Sequence, residues 1–212
     1  GAYRELNRSA PPVTPEERGH FLQSYAVKDG TVAFRDQNGP CGPDPQAKGP
    51  CPAMLYYGGE EVTDETFRQL GILSRLAPAM AAAHDALPFS WVYLTTPGQN
   101  FCIYPYLPLD EAVNNAKPTE KGFYTIADFA GKACGWESPY LDLAGAGMMV
   151  TVSCPAYEGE TLLGVISRDV TLEQLSKRIM ADLATVPDAR AILMTKRGKA
   201  IASSDPKISA FL

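Results

Sequence analysis

Apolar residues after Thr63 recur at helical spacing: Phe67, Leu70, Leu73, Leu76, Met80 and Ala83 fall on one face, Thr63 stands as N-cap, and Pro88 closes the run. The spacing predicts one amphipathic helix over 63–88. Past it the period shortens towards two. Trp91 to Thr96, a Pro97-Gly98 turn and Asn100 to Tyr104 read as a β-hairpin. Met148 to Ala156, rich in β-branched residues, reads as a strand that turns at Glu158-Gly159 and returns over Leu162 to Ser167. Thr171 then caps a helix, with Glu173 close behind and Leu172, Leu175, Ile179 and Leu183 on its buried face, and Pro187 breaks it. Ala191 to Ser203 reads as a last hairpin turning at Gly198.

The rest of the chain is less regular. Thr14 and Pro15 are placed as N-cap and first residue of a short helix, and Tyr25 to Met54 reads as irregular with short strands, its turns marked by Asp29-Gly30 and Asn38-Gly39. A polar connection runs from Pro105 to Lys121, with a possible helical turn at Asp110 to Val113, and Phe123 to Phe129 reads as helix.

Composition narrows the class. A chain of 212 residues, 45% hydrophobic and 20% charged, can bury a sizeable core, and a net charge of -5 opposes general affinity for nucleic acid or anionic lipid. An uninterrupted apolar run of roughly 18 residues is lacking, so the chain as given reads as a soluble piece without a membrane span. Opening in the charged, helix-like Tyr3 to Arg8 and stopping after a hairpin, it is expected to be excised from a membrane protein. Cys41 and Cys51 bracket a Pro- and Gly-rich loop whose closure would stabilise by about 3 kcal/mol, and they read as a disulfide of an oxidising compartment. Their spacing fits no common zinc pattern, and neither metal nor cofactor is expected. Cys102, Cys134 and Cys154 read as small core residues.

Candidate chemistry concentrates in Trp136-Glu-Ser-Pro-Tyr-Leu-Asp142 and in Asp169, which put two carboxylates and an aromatic hydroxyl near strand ends, as a ligand pocket would. Plainer roles compete. Asp142 could cap the turn after Pro139, Asp169 could sit in the N-cap region of the Thr171 helix, and Lys121 could be an exposed cation. Tyr104, Tyr124 and Tyr140, with Trp91 and Trp136, could be core aromatics. An enzyme would need Cys134 with His84 or His20, or Glu137 with Asp142, and neither arrangement has motif spacing. A two-lobed solute-binding protein hardly fits the length.

Taken in order, Trp91-Val-Tyr-Leu-Thr-Thr, Tyr104-Pro105, Lys121-Gly-Phe-Tyr124, Trp136 to Asp142 and Gly164-Val-Ile-Ser-Arg-Asp169 resemble the successive signatures of the Cache family, more narrowly the membrane-distal module of double Cache sensors. The resemblance runs from about Thr63 to the end and implies an α+β, PAS-like antiparallel sheet with flanking helices, preceded by a long N-terminal helix. Three parts are expected: 1–62, a helical or irregular segment with the Cys41 to Cys51 loop and outside most of the resemblance; 63–172, the ligand-binding module; and 173–212, a connecting helix with a partial membrane-proximal module. Such domains lie outside the cytoplasmic membrane and bind small ligands. Their parent chains are membrane-anchored homodimers ending in a histidine kinase, on which the expectation settles, or in a methyl-accepting chemotaxis receptor or nucleotide cyclase.

Carried over residue by residue, the family's basic, aromatic and tyrosine positions fall on Lys121, Phe123 and Tyr124, its Pro-Tyr-x-Asp element on Tyr140 and Asp142, and its last acid on Asp169, with Tyr104 beside them. In the amino-acid-binding branch the basic residue and a Trp hold the ligand carboxylate, and the Tyr and the two Asp hold its ammonium. Lys replaces Arg here, Phe replaces Trp, and Ala116 stands where a Tyr is expected, so the expected ligand is a small carboxylate or an amino-acid-like metabolite rather than a general α-amino acid. Ligand closing the Lys121 to Phe129 segment over itself would shift the Thr171 helix.

Overall fold

The computed structural model describes residues 2–23, 25–34, 51–86, 91–106, 117–142, 147–183, 186, 188–194, 197–205 and 207. Its elements alternate local signals already legible in the chain with one extended sheet. Helices α1 (Ala2–Ser9) and α2 (Pro15–Gln23) lead into strands β1 (Tyr25–Lys28), β2 (Thr31–Phe34) and β3 (Ala53–Tyr56). Thr14 Oγ1 accepts from the Glu17 N–H at 3.1 Å while Glu17 Oε2 accepts from the Thr14 N–H at 2.9 Å, a reciprocal capping box at the start of α2.

The run after Thr63 is two helices, α3 (Asp64–Ser74) and α4 (Ala77–Ala86), where the spacing predicted one. Thr63 does cap the first, accepting from the Thr66 N–H at 3.2 Å. Pro78 causes the break, because its ring nitrogen cannot donate to the Ser74 carbonyl and its ring crowds that oxygen. The last turn of α3 tightens instead, with Arg75 N–H on Ile72 O at 3.2 Å and Leu76 N–H on Leu73 O at 3.0 Å.

Strands β4 (Trp91–Thr95) and β5 (Asn100–Tyr104) form the expected hairpin. A 3₁₀ turn (Pro118–Glu120) and a single helical turn α5 (Gly122–Thr125) follow, then the short edge strands β6 (Gly135–Trp136) and β7 (Tyr140–Leu141). The helix expected over Phe123 to Phe129 stops at one turn because Asp128 diverts the backbone: its carboxylate accepts from Gly131 N–H at 2.8 Å and its main chain pairs with Ala133. Strands β8 (Met148–Glu158) and β9 (Thr161–Thr171) turn through Gly159 at φ 57°, a conformation glycine adopts without strain. Helix α6 (Leu172–Leu183) is capped by Thr171, whose Oγ1 accepts from Gln174 N–H at 3.1 Å, and β10 (Ile192–Met194) pairs with β11 (Ala200–Ser203) in a separate sheet.

The first nine strands make one antiparallel sheet in the order β1-β2-β3-β5-β4-β9-β8-β6, with β7 also on β8. Strands upstream of residue 62 thus complete a sheet whose centre lies downstream of it. Helices flank this sheet, in agreement with the PAS-like α+β architecture. Side-chain alternation splits each central strand between two buried faces. On the helix face Val92, Leu94, Cys102 and Tyr104 pack with Met54, Phe67, Leu70, Leu73 and Tyr3. On the other face Tyr93, Phe101 and Ile103 pack with Leu55, Ala53 and Ala33, and Phe123 covers them.

Two cysteines expected in the core are bonded: Cys134 and Cys154 form a disulfide across the β6 edge, where the register Gly135 to Ser153 sets them side by side. Cys102 is the free, fully buried thiol that was expected, 3.6 Å from Met80 Sδ, and burial pushes its pKa up to about 12. Cys51 is disulfide-bonded. Cys41, the Asn38-Gly39 turn, the Asp110 to Val113 turn, Ala116, Pro88 and Pro187 lie outside the described residues.

Candidate functional site

The site is built by strand register. Asp169 stands opposite Trp91 of β4 on one side and opposite Thr151 of β8 on the other, and Glu137 N–H donates to Thr151 O at 2.8 Å across the next gap. Trp91, Asp169, Thr151 and Glu137 therefore form one row across four chain segments, all on the face away from α3 and α4. Two positions along, Tyr93, Ser167 and Ser153 make the adjoining row, while Tyr140 joins opposite Met149.

Asp169 is not in the N-cap region of α6. It lies inside β9, whose ladder with β8 continues through Asp169 to Thr171. Tyr93 Oη donates to its Oδ1 at 2.8 Å and Thr151 Oγ1 donates to the same oxygen at 2.7 Å, with Tyr140 Oη 2.8 Å from Thr151 Oγ1. The residue is only 6% exposed, yet among the described residues no hydrogen bond reaches Oδ2 and no cation pairs with the group. Burial drives the carboxyl up to about 7 against the pull of the Thr151 and Tyr93 hydrogen bonds, and the charges of Asp142 and Glu137 push the same way. Burial likewise raises Tyr140, beside Asp169, Glu137 and Asp142. The site is a cluster of acids around a buried carboxylate.

Turn α5 roofs this face of the sheet beside the acids. The Phe123 ring meets Tyr93 edge-on at 5.0 Å and lies 5.9 Å from Phe101. The Phe123 carbonyl accepts from the hydroxyls of Ser153 and Ser167, both fully buried and 2.9 Å from each other, so the turn is seated on the sheet. Lys121 is the half-exposed N-cap of this turn, and among the described residues its amino group makes no ion pair.

Other expected site residues fall elsewhere. Tyr104 is on the helix face, its ring 5.3 Å from His84, because it is an odd number of residues from Phe101 and Ile103 on the same strand. Tyr124 is buried with Ala127, Val165 and Phe129, away from the acids. Asp142 sits at the end of β7 with its N–H on Gly147 O at 2.9 Å, which agrees with a turn role as well as with its charge acting on Asp169. Trp136, expected in the core, is 64% exposed, since its edge strand turns it away from Glu137. Sequence reasoning missed Tyr93, Thr151, Ser153 and Ser167. Alternation from Trp91 marks Tyr93 as its face-mate, but only the β4–β9–β8 register joins either to Asp169.

The thiol-enzyme alternative loses its parts. Cys134 has no thiol to offer, His84 packs on Tyr104 with Nδ1 3.2 Å from Asp85, and the His20 side chain lies outside the described residues. A groove of about 360 Å³ between α2 and α3, near Glu17, Arg68 and Arg75, is lined by none of the residues around Asp169, and its Arg75 already lies 3.8 Å from Glu17.

No family model and no curated protein matches the chain. Solved structures do. The sensory domain of the Campylobacter jejuni chemoreceptor Tlp3 with isoleucine bound is similar with a TM-score of 0.50 at 17% identity, over 69% of this chain and 55% of that one. The same receptor's domain with 4-methylisoleucine gives 0.50 at 17%, over 69% and 54%. The ligand-binding domain of the Pseudomonas aeruginosa amino acid chemoreceptor PctC with GABA gives 0.47 at 23%, over 66% and 58%. The likeness to Tlp3 is one of fold, and the chain spans about half the length of that domain.

Proposed function

We propose that this chain is the extracytoplasmic ligand-sensing domain of a bacterial transmembrane receptor, and that its ligand is a small molecule carrying an ammonium group. One observation carries the reading: a nine-tenths-buried carboxylate with one oxygen held by two hydroxyls and the other without a hydrogen bond among the described residues, where the charges acting on it are also acids. A buried charge is strongly disfavoured without a partner, so a site kept in this state is one that waits for a cation. The same acids oppose a simple carboxylate, so the preference drawn from the sequence shifts towards ammonium ligands. Lys121, at the edge of the roof and without an ion pair among the described residues, would serve a ligand carboxylate in the amino-acid case.

The Cys134–Cys154 disulfide supports an oxidising location, and no described helix is long and apolar enough to cross a membrane. The similarity to chemoreceptor sensor domains favours a methyl-accepting chemotaxis receptor as the output over a histidine kinase. Helix α6 starts three residues after Asp169, which gives the site a direct lever on the following segment. Moving a two-state receptor from nearly all off to nearly all on needs about 5.5 kcal/mol of differential ligand affinity.

Calorimetry of the wild type and Asp169→Asn against amines, amino acids and simple carboxylates tests the reading. Asn keeps an acceptor for Tyr93 and Thr151 while removing the charge. Ammonium ligands are expected to bind the wild type and to lose about 100-fold in the variant, as breaking a buried charge pair implies. Equal binding by the variant, or binding confined to carboxylates without a cationic group, would overturn it.

A further inference from the structure

We infer that Glu137 is the specificity determinant of this site, and that it selects an amine without a carboxylate over the α-amino acid of the same skeleton. The inference rests on the reading that the site takes an ammonium ligand at Asp169. Glu137 shares its sheet row with Asp169 and Thr151, because its N–H bonds Thr151 O at 2.8 Å while Trp136 pairs with Val152 and faces the other way. Neighbouring strands are about 4.8 Å apart, so the backbones at Glu137 and Asp169 stand about 10 Å apart with only Thr151 between them.

The Glu137 carboxylate reaches the roof. A Cβ at residue 122 would overlap Glu137 Oε1, so the glycine between Lys121 and Phe123 is where this acid is accommodated. Glu137 makes no ion pair or side-chain hydrogen bond among the described residues, and it is half-buried. A ligand with its ammonium on Asp169 and its carboxylate towards the Lys121 and Phe123 backbone would set that carboxylate beside Glu137. Like charges so placed repel, and specificity of this kind comes from a built-in repulsion as much as from new attraction. Gly122 and Glu137 together thus make the roof end of the site an anionic wall, with Lys121 at its edge.

Paired ligands read this out: ethylamine with alanine, 3-methylbutylamine with leucine and 2-phenylethylamine with phenylalanine, titrated into wild type, Glu137→Gln and Asp169→Asn. In the wild type the amine of the binding pair is expected to be at least about tenfold tighter than its amino acid, and in Glu137→Gln the ratio is expected to fall below about threefold. Asp169→Asn is expected to lose both members. An amino acid that binds the wild type as tightly as its amine overturns the role of Glu137, and so does a ratio unchanged in Glu137→Gln. The wild-type ratio needs no variant to fold. If no pair member binds, or if Asp169→Asn binds as the wild type does, the ammonium reading itself fails, which is a different result from a failed ratio.

Discussion

The same sheet presents two buried regions of opposite character. On the helix face of β4 and β5, Val92, Leu94 and Cys102 meet Phe67, Leu70 and Leu73, all at most 4% exposed and apolar. On the opposite face of β8 and β9, Thr151, Ser153, Ser167 and Asp169 are equally buried and polar. The first face stabilises by removing apolar area from water, at about 25 cal/mol per Å². The second stays buried only because each hydroxyl has a partner, and Asp169 is the exception that finds no counter-charge among the described residues. Burial by itself thus says little about role. What distinguishes the two faces is whether the hydrogen-bonding is complete.

The largest effect that would test this division is on the helix face. Phe67→Ala is expected to destabilise by about 3–5 kcal/mol in denaturant unfolding while leaving the ligand affinity of the folded protein unchanged. A loss of affinity without a loss of stability would mean that the faces are not separate. The polar face should respond to pH instead. The Asp169 carboxyl titrates near 7 in the fold, against about 4 in the unfolded chain, so between those values the native state binds the extra proton. Stability of the ligand-free protein is therefore fully present below about pH 4 and falls as pH rises through about 7, by on the order of 4 kcal/mol from this group. Asp169→Asn should flatten the profile, and urea midpoints across pH 4–8 check it.

A third test concerns the edge that carries Glu137. Cys134→Ser is expected to reduce stability by about 3 kcal/mol, the chain-entropy value for a cross-link of sequence separation 20, and to weaken ligand binding through the loosened β6 edge. Thermal unfolding and calorimetry of this variant separate the two consequences. The smallest effect is expected at Tyr104→Phe. Its hydroxyl makes no hydrogen bond among the described residues and its ring packs on His84, so both affinity and stability should move by less than about 0.5 kcal/mol. A large loss of affinity would return Tyr104 to the site.

Part of the candidate site was legible in sequence, and less of its wiring. Asp169 and Tyr140 stood out as a carboxylate and a hydroxyl in strand-rich sequence, and both reach the same hydroxyl, Thr151. Tyr104 and Tyr93 could not be told apart by type. They lie eleven residues apart on paired strands, and only the hairpin register shows that they face opposite ways. The break at Arg75 was written in Pro78 but was masked by an apolar period that continues through it.

Sequence alone determined the local elements, because their causes are local: Thr63 and Thr171 cap within three residues, Asp128 turns its own backbone, and Gly159 permits the β8–β9 turn. Tertiary structure decided which residues meet. Tyr93 reaches Asp169 across 76 positions and Ser153 reaches Phe123 across 30, while Cys134 finds Cys154 across 20. A period of two announces that a strand has two faces, but which face turns towards helices and which towards a roof depends on the order in which distant strands pair, and that order is a property of the whole chain.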